Sequence, residues 1–247
     1  MAAVIPARAQ DAQSSGQGFS QNLRGADEQL FAQANQSRAA AGAGPLAWDP
    51  ALAAAALAHC RRMAAEGEIA HRYGGEPELT DRAGAAGAHF SLIEENVALG
   101  SYVEMIHDGW MHSPGHRANL LNPQVNRVGI AVVAARGVYY AVADYARAVT
   151  FMSRNQVEAA VGATLRGKGL IVLEDATDAR AYCSNDARPA SAPGFLMLWQ
   201  DADITQLPRA LSERMVTGRY RKAEVGSCPA QNVEGAFTVY RVAVLLY

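Results

Sequence analysis

The segment HDGWMHSPGHRANLLNP, residues His107–Pro123, gathers three histidines, a tryptophan and a serine around a Ser-Pro-Gly turn. Three chemistries suit these residue types. A serine near a histidine and an acid is a nucleophile set. Imidazoles with a carboxylate ligate a divalent ion. A serine followed by proline can also mark a helix junction, with serine as N-cap and proline in the first turn. Spacing separates the three. Nothing like Gly-x-Ser-x-Gly surrounds Ser113, so no nucleophile elbow is marked. A serine directly before Pro114 is expected to cap the next helix, its hydroxyl accepting from the amide of Gly115 or His116. His112 and His116 have the spacing of a helical ligand pair, but Pro114 breaks the helix between them. His107 shares a helix with an apolar stripe and reads as a satisfied structural histidine.

Other candidates are weaker. His59 and Cys60 are adjacent, so on a helix their side chains diverge by about 100°. They read as separate residues, Cys60 as a buried free thiol. His89 lies in a loop. The basic residues Arg214, Arg219, Arg221 and Lys222 read as a solvated strand face rather than a phosphate patch. Cys183 and Cys228 lie beside Ser, Asn, Gly and Pro. A bridge between them fits an exported protein, and two unpaired thiols are the alternative.

The elements that must position these residues follow from composition and pattern. The chain has 247 residues, half of them hydrophobic, enough for one large domain or two small ones. A net charge of -2 offers no surplus for neutralising phosphates, which excludes an electrostatically driven nucleic-acid partner. No run reaches the roughly 18 apolar residues of a spanning helix, so no transmembrane segment is expected. The opening MAAVIPARAQDAQSSGQG resembles the tail of a secretory signal, with Ala7-Arg8-Ala9 as a small-x-small site and the usual long apolar segment missing. A plain disordered tail over residues 1–24 is the alternative reading.

A first helix is predicted from about Asp27 to Ala41, with Leu30, Phe31, Ala34 and Ser37-Arg38 on one face. Asp49 caps a second helix that has Pro50 in its first turn and stops at Gly67. His71 to about His89 reads as mostly loop. Ser101 and Glu104 form a capping box for a third helix, whose Val103, Ile106 and Trp110 point inward while Glu104, Asp108 and His112 are solvated. A short helix, PGHRANLL, precedes two strands, RVGIAVVAA and VYYAVADYA, joined at Arg136-Gly137. This makes an α+β unit over 25–148. Residues 149–247 read as a smaller mixed α/β domain: a helix in SRNQVEAAVGATLRGKG, strands in LIVLED, GFLMLWQD, RYRKAEVGSC and FTVYRVAVLLY, and a helix around Ile204 to Met215. No repeat and no functional motif is visible there.

Five strings occur in an informative order: LAWDPALAAAALAHCRRMA, AHRYG, EENVA, GWMHSPGHRANLLNP and YYAVADYA. Together they resemble the bacterial branch of the CAP superfamily of cysteine-rich secretory, antigen 5 and pathogenesis-related proteins. The resemblance implies a three-layer α-β-α sandwich in 25–148 and an extracellular or periplasmic protein. It also implies a cleft of two histidines and two acids. His71 in AHRYG, Glu95 in EENVA and His116 in PGHRANLL take three of the positions, and Ser113 takes the fourth. Glu94 replaces the usual glycine before Glu95.

The expected function is a binding or interaction role for a lipid, glycan or peptide at this cleft. No motif demands a cofactor. A divalent metal, zinc or else calcium or magnesium, is the one these side chains suit, with His71 on a loop, Glu95 before a helix and His116 near a helix start as ligands. The alternative is a metal-dependent or serine-type hydrolase, a peptidase, using His71, Glu95, Ser113 and His116. Trp110 reads as core rather than as groove lining with Tyr73, Tyr139 and Tyr140. Oligomeric state is left open.

Overall fold

The computed structural model describes residues 25–185 and 192–247. The candidate signal remnant at 1–24 lies outside them. The chain divides into two compact units, one ending at Ala88 and resuming over Leu92–Ala148, the other comprising His89–Ser91 and Val149–Tyr247.

In the first unit, helix α1 (Ala26–Ala40) buries Leu30, Ala34 and Arg38, spaced four apart on one face. Strand β1 (Ala47–Trp48) leads into α2 (Pro50–Glu66). The side chain of Asp49 accepts from the amides of Ala51 and Leu52, Pro50 sits in the first turn, and Gly67 at φ 88° ends the helix. A short helix α3 (Leu79–Ala85) follows, then β2 (Phe90–Gly100), α4 (Val103–His112) and α5 (Pro114–Leu121). Strands β3 (Arg127–Ala135) and β4 (Val138–Ala148) form a hairpin. Its two turn residues, Arg136 and Gly137, both have positive φ, as a two-residue turn that matches the strand twist requires. The sheet order is β1-β3-β4-β2, so β2 is an edge strand.

Alternation along β3 and β4 explains why helices lie on both faces of this sheet. Val128, Ile130, Tyr139, Ala141, Ala143 and Tyr145 pack with residues of α1, α4 and α5, Trp110 among them. Ala131, Tyr140 and Val142 point the other way, onto Ala56, Cys60 and Met63 of α2. Arg38 is fully buried, and its guanidinium donates to the carbonyls of Gly44, Leu120, Asn122 and Val125. That clamp satisfies a charge which the sequence pattern places, correctly, on the apolar face.

Three local expectations fail, each for a physical reason. The 71–89 segment is mostly loop, with the short helix α3 within it, but Glu95 lies within strand β2 and not in a segment leading into a helix. The polar run Glu94-Glu95-Asn96 hides the strand, because it borders a polar cleft and so lacks alternation. The Ser101–Glu104 capping box does not form: α4 starts at Val103, and Glu104 instead accepts from Gln29 Nε2 at 2.5 Å. Ser113 does stand between α4 and α5, but its hydroxyl makes no cap bond. Its backbone already serves both helices, the amide donating to Gly109 and the carbonyl accepting from Arg117.

The second unit contains α6 (Arg154–Gly167), β5 (Ile171–Val172), α7 (Thr177–Ser184), β6 (Phe195–Asp201), α8 (Arg209–Met215), β7 (Lys222–Cys228) and β8 (Tyr240–Leu246). Ser153 and Gln156 form a capping box at α6, which buries Val157, Val161 and Leu165. Cys183 and Cys228 are disulfide-bonded, and Cys60 is free and buried, its thiol pushed up to about 12 by burial. Arg219, Arg221 and Lys222 are exposed, as expected of a solvated face. His89 belongs to this unit and stacks on Phe151.

The second sheet has the order β5-β7-β8-β6, the same arrangement as β1-β3-β4-β2 with each strand in the corresponding place along the chain. In both units a two-residue strand pairs in parallel with the third strand. The bonds correspond: Ala47 to Asn126 and Asp49 to Val128 in one, Ile171 to Arg221 and Leu173 to Ala223 in the other. In both, the helix after that short strand presses on a glycine of the third strand. A Cβ on Gly129 would lie 2.0 Å from Ala53 N, and one on Gly226 would lie 2.3 Å from Arg180 N. A repeat of topology is therefore present where none is legible in the residues.

Backbone atoms cannot move aside cheaply, so Gly129→Ala and Gly226→Ala should each cost about 3 kcal/mol. Gly109, whose Cβ would meet nothing, is the control. Gly109→Ala should be neutral or stabilise by up to about 1 kcal/mol, because it lies within α4. Urea unfolding midpoints of the three variants check this.

Candidate functional site

Edge strand β2 carries the central acid. Glu95 Oε1 lies 2.8 Å from His71 Nδ1, and Oε2 accepts from Arg82 Nη2 at 2.5 Å. The Glu95 and Arg82 side chains are only 3 % and 6 % exposed. Arg82 comes from α3, and its Nη1 also donates to the His71 carbonyl at 3.0 Å. One guanidinium thus holds the carboxylate and the loop that brings His71 to it. Helix α2 contributes His59, fully buried, with Nδ1 2.7 Å from Glu76 Oε1 and Nε2 2.8 Å from the Ala70 carbonyl. Glu76 Oε2 in turn accepts from the Tyr73 amide. Residues 70–76 are therefore fastened from both sides without regular secondary structure.

Helix α5 is held against β2 by two asparagines. Asn119 Nδ2 donates to the Glu95 carbonyl and to Asn96 Oδ1, and Asn96 Nδ2 donates to the His116 carbonyl at 2.9 Å. His116 is thereby held near enough to His71 to feel its charge. Strand β4, which neighbours β2, adds Asp144. It is wholly buried, and neither carboxyl oxygen has a hydrogen-bond partner among the described residues. Burial, and then the negative charge of Glu95, push its carboxyl well above the usual range.

The two histidines are driven in opposite directions. The hydrogen bond to Glu95 raises His71, against burial and the Arg82 charge. Burial lowers His116, and the charge of His71 lowers it further. Side by side stand a ring that is 62 % exposed and drawn toward its protonated form, and one drawn toward its neutral form.

The structure brings His71, Glu95 and His116 to one place, but not as a metal set. Among the described residues no three His, Cys, Asp or Glu side chains form a group that could hold an ion. Glu95 has one oxygen on a guanidinium and the other on His71 Nδ1, so a cation would have to displace both partners. The donors do not fit the zinc, calcium or magnesium expected from sequence. Ser113 is likewise not assembled as a nucleophile, since no hydrogen bond joins it to His116 among the described residues.

Of the remaining segment, Trp110 is core, with Nε1 donating to Val97. His107 bonds Ser37, and His112 is an exposed partner of Asp108. Sequence reasoning missed Arg82, His59, Glu76, Asp144, Asn96 and Asn119. A lone acid in the apolar run AVADYA, and asparagines in EENVA and HRANLL, were usable signals. Arg82 offered none.

The His71 shift gives a signed expectation. Its folded value lies above the ordinary one, so its contact with Glu95 stabilises below about pH 6.5 and is lost as pH rises through the folded value. Histidine ring resonances followed by NMR should show His71 titrating above His116, and Glu95→Gln should bring His71 down toward its ordinary value. Coincident midpoints in the unmodified protein would contradict the arrangement.

Comparisons with known proteins match this part of the chain. The family model described as cysteine-rich secretory protein family, CAP, matches residues 31–145. The uncharacterised protein YkwD of Bacillus subtilis (strain 168) is 28% identical over 106 residues, covering 42% of this chain and 41% of its own. An extracellular protein with an SCP domain from Bacillus anthracis str. Ames is 30% identical with a TM-score of 0.47, covering 50% of this chain and 41% of its own. A cysteine-rich secretory protein from Staphylococcus aureus subsp. aureus Mu50 is 22% identical with a TM-score of 0.43, covering 50% of this chain and 39% of its own. The chain thus spans about two fifths of the length of the curated relative it matches. Residues 31–145 are thus similar to the CAP domain of the cysteine-rich secretory protein family.

Proposed function

We propose that this is an exported CAP-domain protein that binds a polar segment of a peptide or glycan at the His71–Glu95–His116 cleft without turning it over. The CAP domain is read as a three-layer α-β-α sandwich over 25–148, followed by a small α/β domain over 149–247. The observation that carries the binding reading is the closed network around Glu95. Both its oxygens are engaged internally, while the His71 ring, 62 % exposed and raised by its bond to Glu95, stands beside His116, which burial lowers. Hydrogen-bonding groups are thus offered outward with no nucleophile among them. A polar ligand suits these groups better than a lipid, whose chain needs apolar lining. Export is supported by the Cys183–Cys228 bridge, since thiols in reducing compartments remain unpaired. No helix among the described residues is long and apolar enough to cross a membrane.

A mixture of unstructured peptides and soluble cell-wall glycan fragments, added to labelled protein, should shift the His71 and His116 resonances. His71→Ala should weaken that binding at least tenfold. Mass spectrometry of the mixture should show no new fragments; cleavage that disappears in His71→Ala would replace binding by hydrolysis.

Thiol alkylation of protein taken directly from its native compartment, under denaturing conditions, should label Cys60 alone. Labelling of Cys183 and Cys228 without reductant would remove the support for export.

A further inference from the structure

The repeated topology gives the second unit a place that corresponds to the cleft. In the first unit the cleft floor is the α2-covered side of the β2–β4 pair: Glu95 alternates with Val97, and Asp144 with Val142, and both of those apolar neighbours pack on α2. The corresponding surface is the α7 side of β6 and β8. Helix α7 packs on β7 and β8, with Ala243 joining Cys183 and Cys228 beneath it. The pairing register puts Gln200, Arg241 and Cys228 in one cross-strand row, and Leu198, Ala243 and Gly226 in the next. Cross-strand partners share a face, so Arg241 lies on this side, next to the disulfide. Leu196 and Leu198 stand on the same face of the edge strand β6, each 40 % exposed, while Phe195, Met197 and Trp199 turn to the core.

Arg241 is the anomaly. It is only 9 % exposed, its Nη1 is buried without a hydrogen-bond partner, and no carboxylate among the described residues pairs with it. Compare Arg38, fully buried, whose guanidinium meets four carbonyls. A buried cation without a counter-charge is an unfavourable state that an incoming anion would relieve. The apolar strip beside it sets the rest of the ligand. Leu196 and Leu198 are two strand residues apart, about 7 Å, a span that the apolar tail of an eight-carbon acid covers.

We propose that this face of the second unit is a separate ligand site for a carboxylate carried on an unbranched apolar chain. The carboxylate pairs with Arg241, and the chain lies over Leu198 and Leu196. The site shares no residue with the His71–Glu95–His116 cleft and does not depend on it.

Octanoate is the probe, titrated into the full chain while the Arg241 side-chain signal and the Leu196 and Leu198 methyl signals are followed by NMR. Saturable shifts at these signals are expected. Octanol, which lacks the charge, and acetate, which lacks the chain, should bind at least tenfold more weakly. Leu198→Ser should weaken octanoate at least fivefold, Arg241→Met should abolish it, and His71→Ala should leave it unchanged. Without ligand, Arg241→Met should melt at a higher temperature than the unmodified protein, because it removes an unpaired buried charge. The proposal is overturned if octanoate produces no saturable shift at these signals, or if binding survives both Arg241→Met and Leu198→Ser. It is equally overturned if Arg241→Met lowers the melting temperature, since the guanidinium would then be holding structure rather than awaiting an anion.

Discussion

The buried pair between Arg82 and Glu95 sets the form of the cleft. Both side chains are nearly excluded from water, so neither charge is stable alone. Removing one partner of such a pair costs on the order of 3–5 kcal/mol, because the other is left uncompensated. Three further features hang on it. The His71 loop is tied by its carbonyl to the same guanidinium. The His71 ring is raised by its hydrogen bond to the same carboxylate. The Asp144 carboxyl is raised first by its burial and then by the charge of the same Glu95. Charge is thus concentrated on a single carboxylate, and the other ionisable groups adjust to it.

A second constraint lies in the backbone. Each unit lets a helix approach its third strand so closely that only glycine fits, at Gly129 and at Gly226. Short parallel strands β1 and β5 make matching hydrogen bonds before those helices. The same topology therefore appears twice in one chain, with different side chains at the corresponding positions. The first unit places an acid-centred polar cluster on the edge strand. The second places exposed leucines there, with one unpaired guanidinium nearby. The backbone supplies a shelf at the same point of the topology, and side chains decide what chemistry it offers.

Much of the first unit is legible from residues. The Asp49–Pro50 start of α2, the Arg136–Gly137 turn and the inward Val103-Ile106-Trp110 stripe all depend on interactions within a few positions of each other. Where caps compete with tertiary bonds, local reading fails. Glu104 is drawn to Gln29, 75 positions away, rather than to its own helix start. Strand β2 escapes notice because its middle borders a polar cleft, so its residues do not alternate. The repeated topology is invisible because strand order and backbone pairing, not residue identities, are what the two units share.

The sequence by itself determined the family motifs, the helix-breaking role of Pro114 and the core position of Trp110, since each is carried by residue types at short spacing. It also nominated His71, Glu95 and His116, through resemblance. Tertiary structure alone decided what those three do together. Glu95 could have been a metal ligand, a catalytic acid or half of an ion pair. Arg82, arriving from a helix with no sequence signature, made it the last of these. Long-range packing chooses among the chemistries a residue type permits, because a buried charge takes its state from whichever partner the fold brings within reach.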